Sequence, residues 1–206
     1  TRCTDLNPRA PSALEREEAR MKTDMLPNVS RETLDRLDAF ADLVLKWTAK
    51  INLISKSTTA TIWERHILDS AQLFNLAPEG GKWLDLGSGG GFPGIVVAIL
   101  TEGVAQPHDV FLVESDQRKA VFLRTAIREL RLRATVITER IEDIDPQRAN
   151  VLSARALADL TTLIGFGSEH LRSDGVALFP KGAQWEKEDH VARQLWSYSC
   201  DAVKSK

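Results

Sequence analysis

Trp83-Leu84-Asp85-Leu86-Gly87-Ser88-Gly89-Gly90-Gly91-Phe92-Pro93-Gly94 is the stretch on which the fold class turns. Its first four residues follow an apolar strand pattern interrupted by one acid. A glycine cluster comes next, leaving no side chains to obstruct a ligand. Pro93 then suits the first turn of a helix. Strand, glycine turn and helix in this order predict the opening of a parallel sheet. The open backbone then lies at the carboxyl end of the first strand, where such sheets bind ligands.

Downstream of Gly81 short apolar runs alternate with helical patterns. Strands are expected at Lys82–Leu86, Val110–Glu114, Ala134–Thr138, Asn150–Ser153 and Val176–Phe179. Helices are expected at Pro93–Leu100, Gln117–Leu130, Ala158–Leu171 and Ala183–Leu195. This alternation predicts an α/β, Rossmann-like domain over residues 81–206, with helices on both faces of a parallel sheet. The stretch Trp196–Lys206 is read as one possible further strand. Upstream, residues 29–80 read as a helical cap. Leu34, Leu37, Phe40, Val44 and Trp47 recur at helical spacing after Ser30, and a second pattern runs from Thr58 to Phe74. Trp47 is read as core rather than as a base-stacking platform. Residues 1–28, with Pro8, Pro11, Pro27 and alternating charges, read as a flexible extension.

The 206 residues allow one α/β domain plus a small addition. No run approaches the roughly 20 apolar residues that span a bilayer. Cys3 and Cys200 stand too far apart in sequence for a paired-cysteine motif, so a reduced, cytoplasmic setting is expected, with no metal. The net charge of −2 argues against a protein that coats nucleic acid without selectivity. Locally the balance differs. Arg118, Lys119, Arg124, Arg128, Arg131, Arg133 and Arg140 face only Glu129 and Glu139. That patch is either a nucleic-acid surface or a solvated helix face.

Two ligands compete for the glycine turn. A dinucleotide requires G-x-G-x-x-G, and counting from Gly87 the third glycine position is Phe92. The pattern D-x-G-x-G-x-G is met by Asp85, Gly87, Gly89 and Gly91, and it is the first motif of Rossmann-like methyltransferases that bind S-adenosylmethionine. Glu114 closes the second strand, 27 positions after Gly87, where a carboxylate can accept hydrogen bonds from ribose hydroxyls. Arg140-Ile141-Glu142-Asp143 follows the third strand, at the place where an adenine would lie.

The acceptor is narrowed by what is missing. Neither cysteine lies near the expected pocket, which argues against a C5-pyrimidine methyltransferase with a thiol nucleophile. After the fourth strand stands Ser153-Ala154-Arg155-Ala156 rather than the Asn/Asp-Pro-Pro-aromatic signature of exocyclic-amine methylation. Arg155 stays protonated and is no general base, but it can orient a carbonyl or phosphate, or brace a carboxylate of the loop. A ring nitrogen with a free lone pair, such as guanine N7, needs no base. In-line positioning in a desolvated pocket then suffices. His66, Asp69 and Ser70 are spaced to share one helix face.

These motifs in order resemble the bacterial 16S rRNA methyltransferase G family, also called the glucose-inhibited division protein B family. The resemblance covers Leu34 to Lys206. It rests on Trp47-Thr48-Ala49-Lys50-Ile51-Asn52-Leu53, Arg65-His66-Ile67-Leu68-Asp69-Ser70, Asp85 to Gly94, Glu114-Ser115 with Arg118-Lys119 and Phe122-Leu123, Ser153-Ala154-Arg155-Ala156, and Pro180-Lys181-Gly182. It implies N7 methylation of guanine 527 in the 530 loop of 16S rRNA, within the small subunit or an assembly intermediate, and a monomer is the default expectation. Asp85, Gly87, Gly89, Phe92, Glu114, Ser115, Ile141, Glu142 and Arg155 would then hold S-adenosylmethionine. His66, Asp69, Arg155 and Lys181 would serve the acceptor, and Arg118, Lys119, Arg124 and Arg128 would meet RNA. The family closes with a hairpin, and no counterpart of its final strand is read before Lys206. Other classes are a small-molecule methyltransferase, a nicotinamide dehydrogenase and a noncatalytic RNA-binding protein.

Overall fold

The computed structural model describes residues 13–205. Five strands form one all-parallel sheet in the order β3-β2-β1-β4-β5. They are β1 (Gly81–Leu86), β2 (His108–Val113), β3 (Ala134–Ile137), β4 (Ala149–Ala154) and β5 (Leu171–Leu178). The crossover helices are α4 (Gly94–Thr101), α5 (Gln117–Leu130) and α6 (Leu160–His170), and α7 (Trp185–Ala192) follows β5. The chain steps outward from β1 to β3 and then returns to place β4 on the other side of β1. The carboxyl ends of β1 and β4 therefore flank the point where the winding reverses, the usual ligand crevice of such sheets.

Side chains alternate across β1. Trp83 joins the core beneath α2 (Arg31–Thr48), α4 and α5, whereas Leu84 and Leu86 join the core beneath α6. Both faces are covered, which is why the strands read as nearly continuous apolar runs. Asp85 shares the face of Trp83 and so lies, fully buried, under the start of α4.

Three sequence expectations change. The first concerns the extension, whose residues 1–12 lie outside the described part. Residues 13–25 form α1 (Ala13–Met25), Leu26 is buried, and Lys22 pairs with Asp38 while lying over the Trp63 ring. The alternating charges hide one cationic stem that packs against an aromatic face. The second concerns the cap, which has no core of its own. Leu37, Phe40 and Val44 of α2 bury against Ile95, Ile99 and Phe122 of the sheet domain in one cluster. Trp47 packs on the edge of that core, half-buried, its ring 5.6 Å from that of Phe122. The third is that Trp196–Ser205 forms no strand. This tail instead returns to α3 (Asp69–Leu76), where Ser205 donates to Asp69 and Gln72 donates to the Lys204 carbonyl.

The segment read as a second cap helix is three pieces. A 3-10 turn (Lys56–Thr61) leads into one π-helical turn (Trp63–Leu68) and then α3. Such widened turns recur at functional sites, and this one contains His66. The Ser70 hydroxyl donates to the His66 carbonyl at 2.6 Å, satisfying a backbone acceptor in it.

Candidate active site

A cleft of about 410 Å³ opens at the carboxyl edge of the sheet. Gly87, Glu114, Ser115, Ile141 and Glu142 line it, together with Lys119. Each arrives by a different route. Gly87 follows β1 with φ +62, and a Cβ there would stand 2.7 Å from a Leu157 methyl, so only glycine keeps this wall open. Glu114 follows β2 and accepts from the Gly89 N–H and the Asp116 N–H, at 2.8 Å each. A carboxylate has about four lone-pair directions, so two remain for ligand hydroxyls. Ile141 and Glu142 form the 3-10 turn Ile141–Asp143 between β3 and β4. Sequence reasoning missed Ala156, Leu157, Ala158, Thr162 and Phe166, which make the opposite wall. Their signal is positional: they follow β4, the strand across the reversal point.

Four residues expected at the cofactor, Asp85, Gly89, Phe92 and Arg155, are not among those that line this cleft. Asp85 is 0% exposed and does not line the cleft. Its carboxylate accepts from Ser153 Oγ at 2.7 Å and from the Gly94 N–H at 3.2 Å, while Ser153 in turn accepts from Trp83 Nε1 at 2.9 Å. Burial pushes its pKa up to about 6, against the hydrogen bonds that favour its charge. Gly89 acts through the N–H it gives Glu114. Phe92 turns inward onto Phe40, with ring centroids 5.1 Å apart. Arg155 lies over the other side of Phe92, 5.1 Å from its centroid, and so braces the loop rather than lining the cleft.

A one-way chain of hydrogen bonds fixes the protonation of His66. Thr58 Oγ1 donates to the Ser55 carbonyl at 2.9 Å, so toward His66 Nε2, 3.0 Å away, it acts as acceptor. Arg155 Nη1 lies 2.8 Å from His66 Nδ1 and has only protons to offer. His66 is therefore neutral, with its proton on Nε2. Burial, and next the Arg155 charge, hold its pKa down to about 4. Its ring sits 5.0 Å from that of Phe92. Thus Arg155, Phe92 and His66 do come together, whereas Asp69 is engaged by Ser205 at 2.6 Å. Lys181 pairs with Glu188 at 2.6 Å and donates to the Ala158 carbonyl, bracing the loop after β4.

Of the cations expected at RNA, Arg118 pairs with Asp116, and Arg124 donates to Thr138 Oγ1. Lys119 lines the cleft, and Arg128 lies at a second cavity, between α2 and α5. No described helix is long and apolar enough to cross a membrane.

The residues fit S-adenosylmethionine better than a dinucleotide. A pyrophosphate would need the free N–H groups at the start of α4, but Asp85 already occupies that helix start from within. Glu114 and the apolar pair Ile141 and Phe166 instead offer a site for ribose hydroxyls and a flat ring.

Comparison with known proteins agrees with this geometry. The profile of the family described as rRNA small subunit methyltransferase G matches residues 33–205. A protein of that name from Ruegeria pomeroyi is 56% identical over 178 residues, covering 86% of this chain and 87% of its own. Its namesake from Gluconobacter oxydans is 48% identical over 181 residues, covering 88% and 91%. Among solved structures, M. jannaschii TYW2 in complex with AdoMet matches 63% of this chain and 54% of its own at 18% identity and TM-score 0.51. A ribosomal protein L11 methylase from Lactobacillus delbrueckii matches 63% and 67% at 17% identity and TM-score 0.51. These two establish the fold as that of Rossmann-like methyltransferases. With the profile spanning most of the chain and relatives at about half identity, this chain belongs to the rRNA small subunit methyltransferase G family.

Proposed function

We propose that the protein transfers a methyl group from S-adenosylmethionine to N7 of guanine 527 in 16S rRNA, within the small subunit or its assembly intermediate in the cytoplasm. The observation that carries this reading is the cleft in which Gly87, Glu114, Ile141 and Glu142 meet Lys119, at the head of a basic helix.

When bound, the cofactor supplies an electrophilic methyl on a sulfonium sulfur. Gly87, Glu114, Ile141 and Glu142 would hold that cofactor, which would give its methyl to a ring nitrogen and leave the product ring cationic. No proton need leave, so the site requires no base, in keeping with an Arg155 that stays charged and a His66 already committed to its partners. The residues provide position in a pocket lined by both polar and apolar groups. His66, neutral in this arrangement, adds no charge against the cationic product ring. Glu114 orients the ribose end, and Arg155 holds Phe92 and the loop in place. Asp69 and Lys181 act on the acceptor side by fixing α3 and the loop after β4.

The test is incubation of the protein with methyl-labelled cofactor and small ribosomal subunits, naked 16S rRNA or an assembly intermediate, followed by mapping of the modified base. Label at one guanine, lost when that base is replaced, is expected. No label in any ribosomal RNA would sink the assignment. Calorimetry should show S-adenosylhomocysteine binding and no binding of NAD.

A further inference from the structure

The second cavity belongs to none of the machinery described so far. It holds about 310 Å³ and is lined by Leu43, Lys46, Trp47 and Lys50 on one side and Thr125, Arg128 and Glu129 on the other. Lys46 lies in the last turn of α2, Lys50 lies just beyond that helix, and Arg128 lies in the last turn of α5. None of the three cations enters an ion pair among the described residues. Away from the two hollows Arg118 is engaged by Asp116, Arg124 by Thr138 and Lys181 by Glu188, whereas Lys119 and Arg140, which line the main cleft, likewise enter no ion pair among the described residues. A cation in the last turn of a helix is favoured by the helix dipole, which accounts for Lys46 and Arg128 singly. It accounts neither for Lys50 nor for all three facing one hollow opposed by a single acid, Glu129.

The floor of the hollow is aromatic. Trp47 is half-buried, its ring anchored on Phe122, and an indole that keeps part of its surface open offers a face to an unpaired base. The hollow and the main cleft are both bordered by α5. Arg118, Val121, Thr125 and Arg128 follow one another at helical spacing along one face of α5, with Val121 half exposed. Lys119, at the first turn of the same helix, lines the main cleft. The nine residues from Lys119 to Arg128 cover roughly 14 Å at 1.5 Å per residue. Lys119 and Arg128 lie on opposite faces of α5, so a strand passing from the main cleft to the hollow would cross the helix as well as descend it.

We infer that the hollow between α2 and α5 is a second RNA subsite, in which Lys46, Lys50 and Arg128 take phosphates of a single-stranded segment flanking the target guanine and Trp47 supports one of its bases. The inference rests on the proposed function. It adds to it a role for the helical cap, which supplies half of the subsite and none of the main cleft. It also explains how a chain of net negative charge holds a polyanion: the cations are gathered along one path.

Three proteins decide the matter: wild type, the variant Lys46→Gln/Lys50→Gln/Arg128→Gln, and a control that neutralises three cations in the β4–β5 half of the molecule, Arg148→Gln/Arg172→Gln/Lys187→Gln. Each is assayed for methyl transfer to the ribosomal RNA substrate labelled best by wild type, for RNA binding between 50 and 200 mM salt as an assay range, and for S-adenosylhomocysteine binding. The subsite variant should raise KM for RNA about 10- to 100-fold at moderate salt and lower the salt slope by about 2, three single-strand phosphate contacts being worth about 0.7 each. Its kcat at saturating RNA and its S-adenosylhomocysteine affinity should stay within about twofold of wild type, and the control should lose far less RNA affinity. A variant that methylates RNA with wild-type KM and salt slope overturns the subsite and leaves the enzyme reading intact. Equal losses in variant and control also overturn it, because net charge would then be the cause. If wild type labels no RNA at all, the functional reading fails and the subsite with it.

Discussion

Asp85 and His66 titrate in opposite senses across nearly the same pH range. The folded-state pKa of Asp85 is raised from 3.8 to about 6, so the native state holds a proton that the unfolded chain releases, and stability falls as pH rises through that window. The pKa of His66 is lowered from 6.5 to about 4, so the unfolded chain binds the extra proton, and stability rises with pH over its window. Together they flatten the profile. Asp85→Asn should make stability climb more steeply between pH 4 and 6.5 than in wild type, its Asp85 contribution being about 3 kcal/mol at 1.36 kcal/mol per pKa unit. His66→Gln should tilt the profile the other way. Urea denaturation across this range checks both, and parallel profiles for all three proteins would refute the assignment. The hydrogen-bond chain is open to a separate check. Nitrogen NMR of His66 should show a bare Nδ1 and a protonated Nε2. Thr58→Val should cost about 1 kcal/mol and allow the second tautomer to appear.

Among the elements, α5 is fixed at both ends by local chemistry. Asp116 accepts from the N–H groups of Arg118 and Lys119 at 2.8 and 3.3 Å, and Arg131 closes the helix in the left-handed region. Asp116→Ala should lower stability by about 1 kcal/mol while leaving S-adenosylhomocysteine affinity nearly unchanged, as measured by denaturation and calorimetry. The helix expected at Gln117–Leu130 has those same bounds in the structure. Strand β5 was legible only where it pairs in register: Val176, Ala177 and Leu178 face β4, whereas the earlier part is reached through an irregularity and carries exposed Arg172, Ser173 and Asp174. The π-helical turn was hidden because its apolar positions keep near-helical spacing. In the loop after β1, the glycines were readable as an open wall. The inward turn of Phe92 was not, since it depends on Phe40, His66 and Arg155 arriving from distant parts of the chain.

At the scale of the molecule the cap and the sheet share one interior. Phe40 is fully buried against Phe92, and the half-buried Trp47 packs on Phe122, so α2 packs onto the cofactor loop and the basic helix alike. Phe40→Ala should destabilise the protein by about 3–5 kcal/mol. Calorimetric unfolding should remain a single transition, since neither layer can lose its partner and keep a core. Two resolved transitions would show that the cap folds independently. The boundary near Gly80 was visible in the sequence as a change of texture, but texture cannot report a shared core. The cleft edge was visible through Gly87 and Glu114, and the hollow behind Trp47 was not, because it exists only where α2 lies across α5.

Glu114 is held on one oxygen by the loop after β1 and on the other by the entrance to α5. Whatever occupies its remaining lone pairs must therefore also hold these two segments together, and the linkage runs in both directions. A ligand at 100 times its dissociation constant adds about 2.7 kcal/mol to stability. The methyl donor is then a folding ligand as well as a reagent. Protease resistance of the protein should rise with added S-adenosylhomocysteine and lose that response in Glu114→Gln. In a living cell, the lifetime of this protein would follow the supply of activated methyl groups.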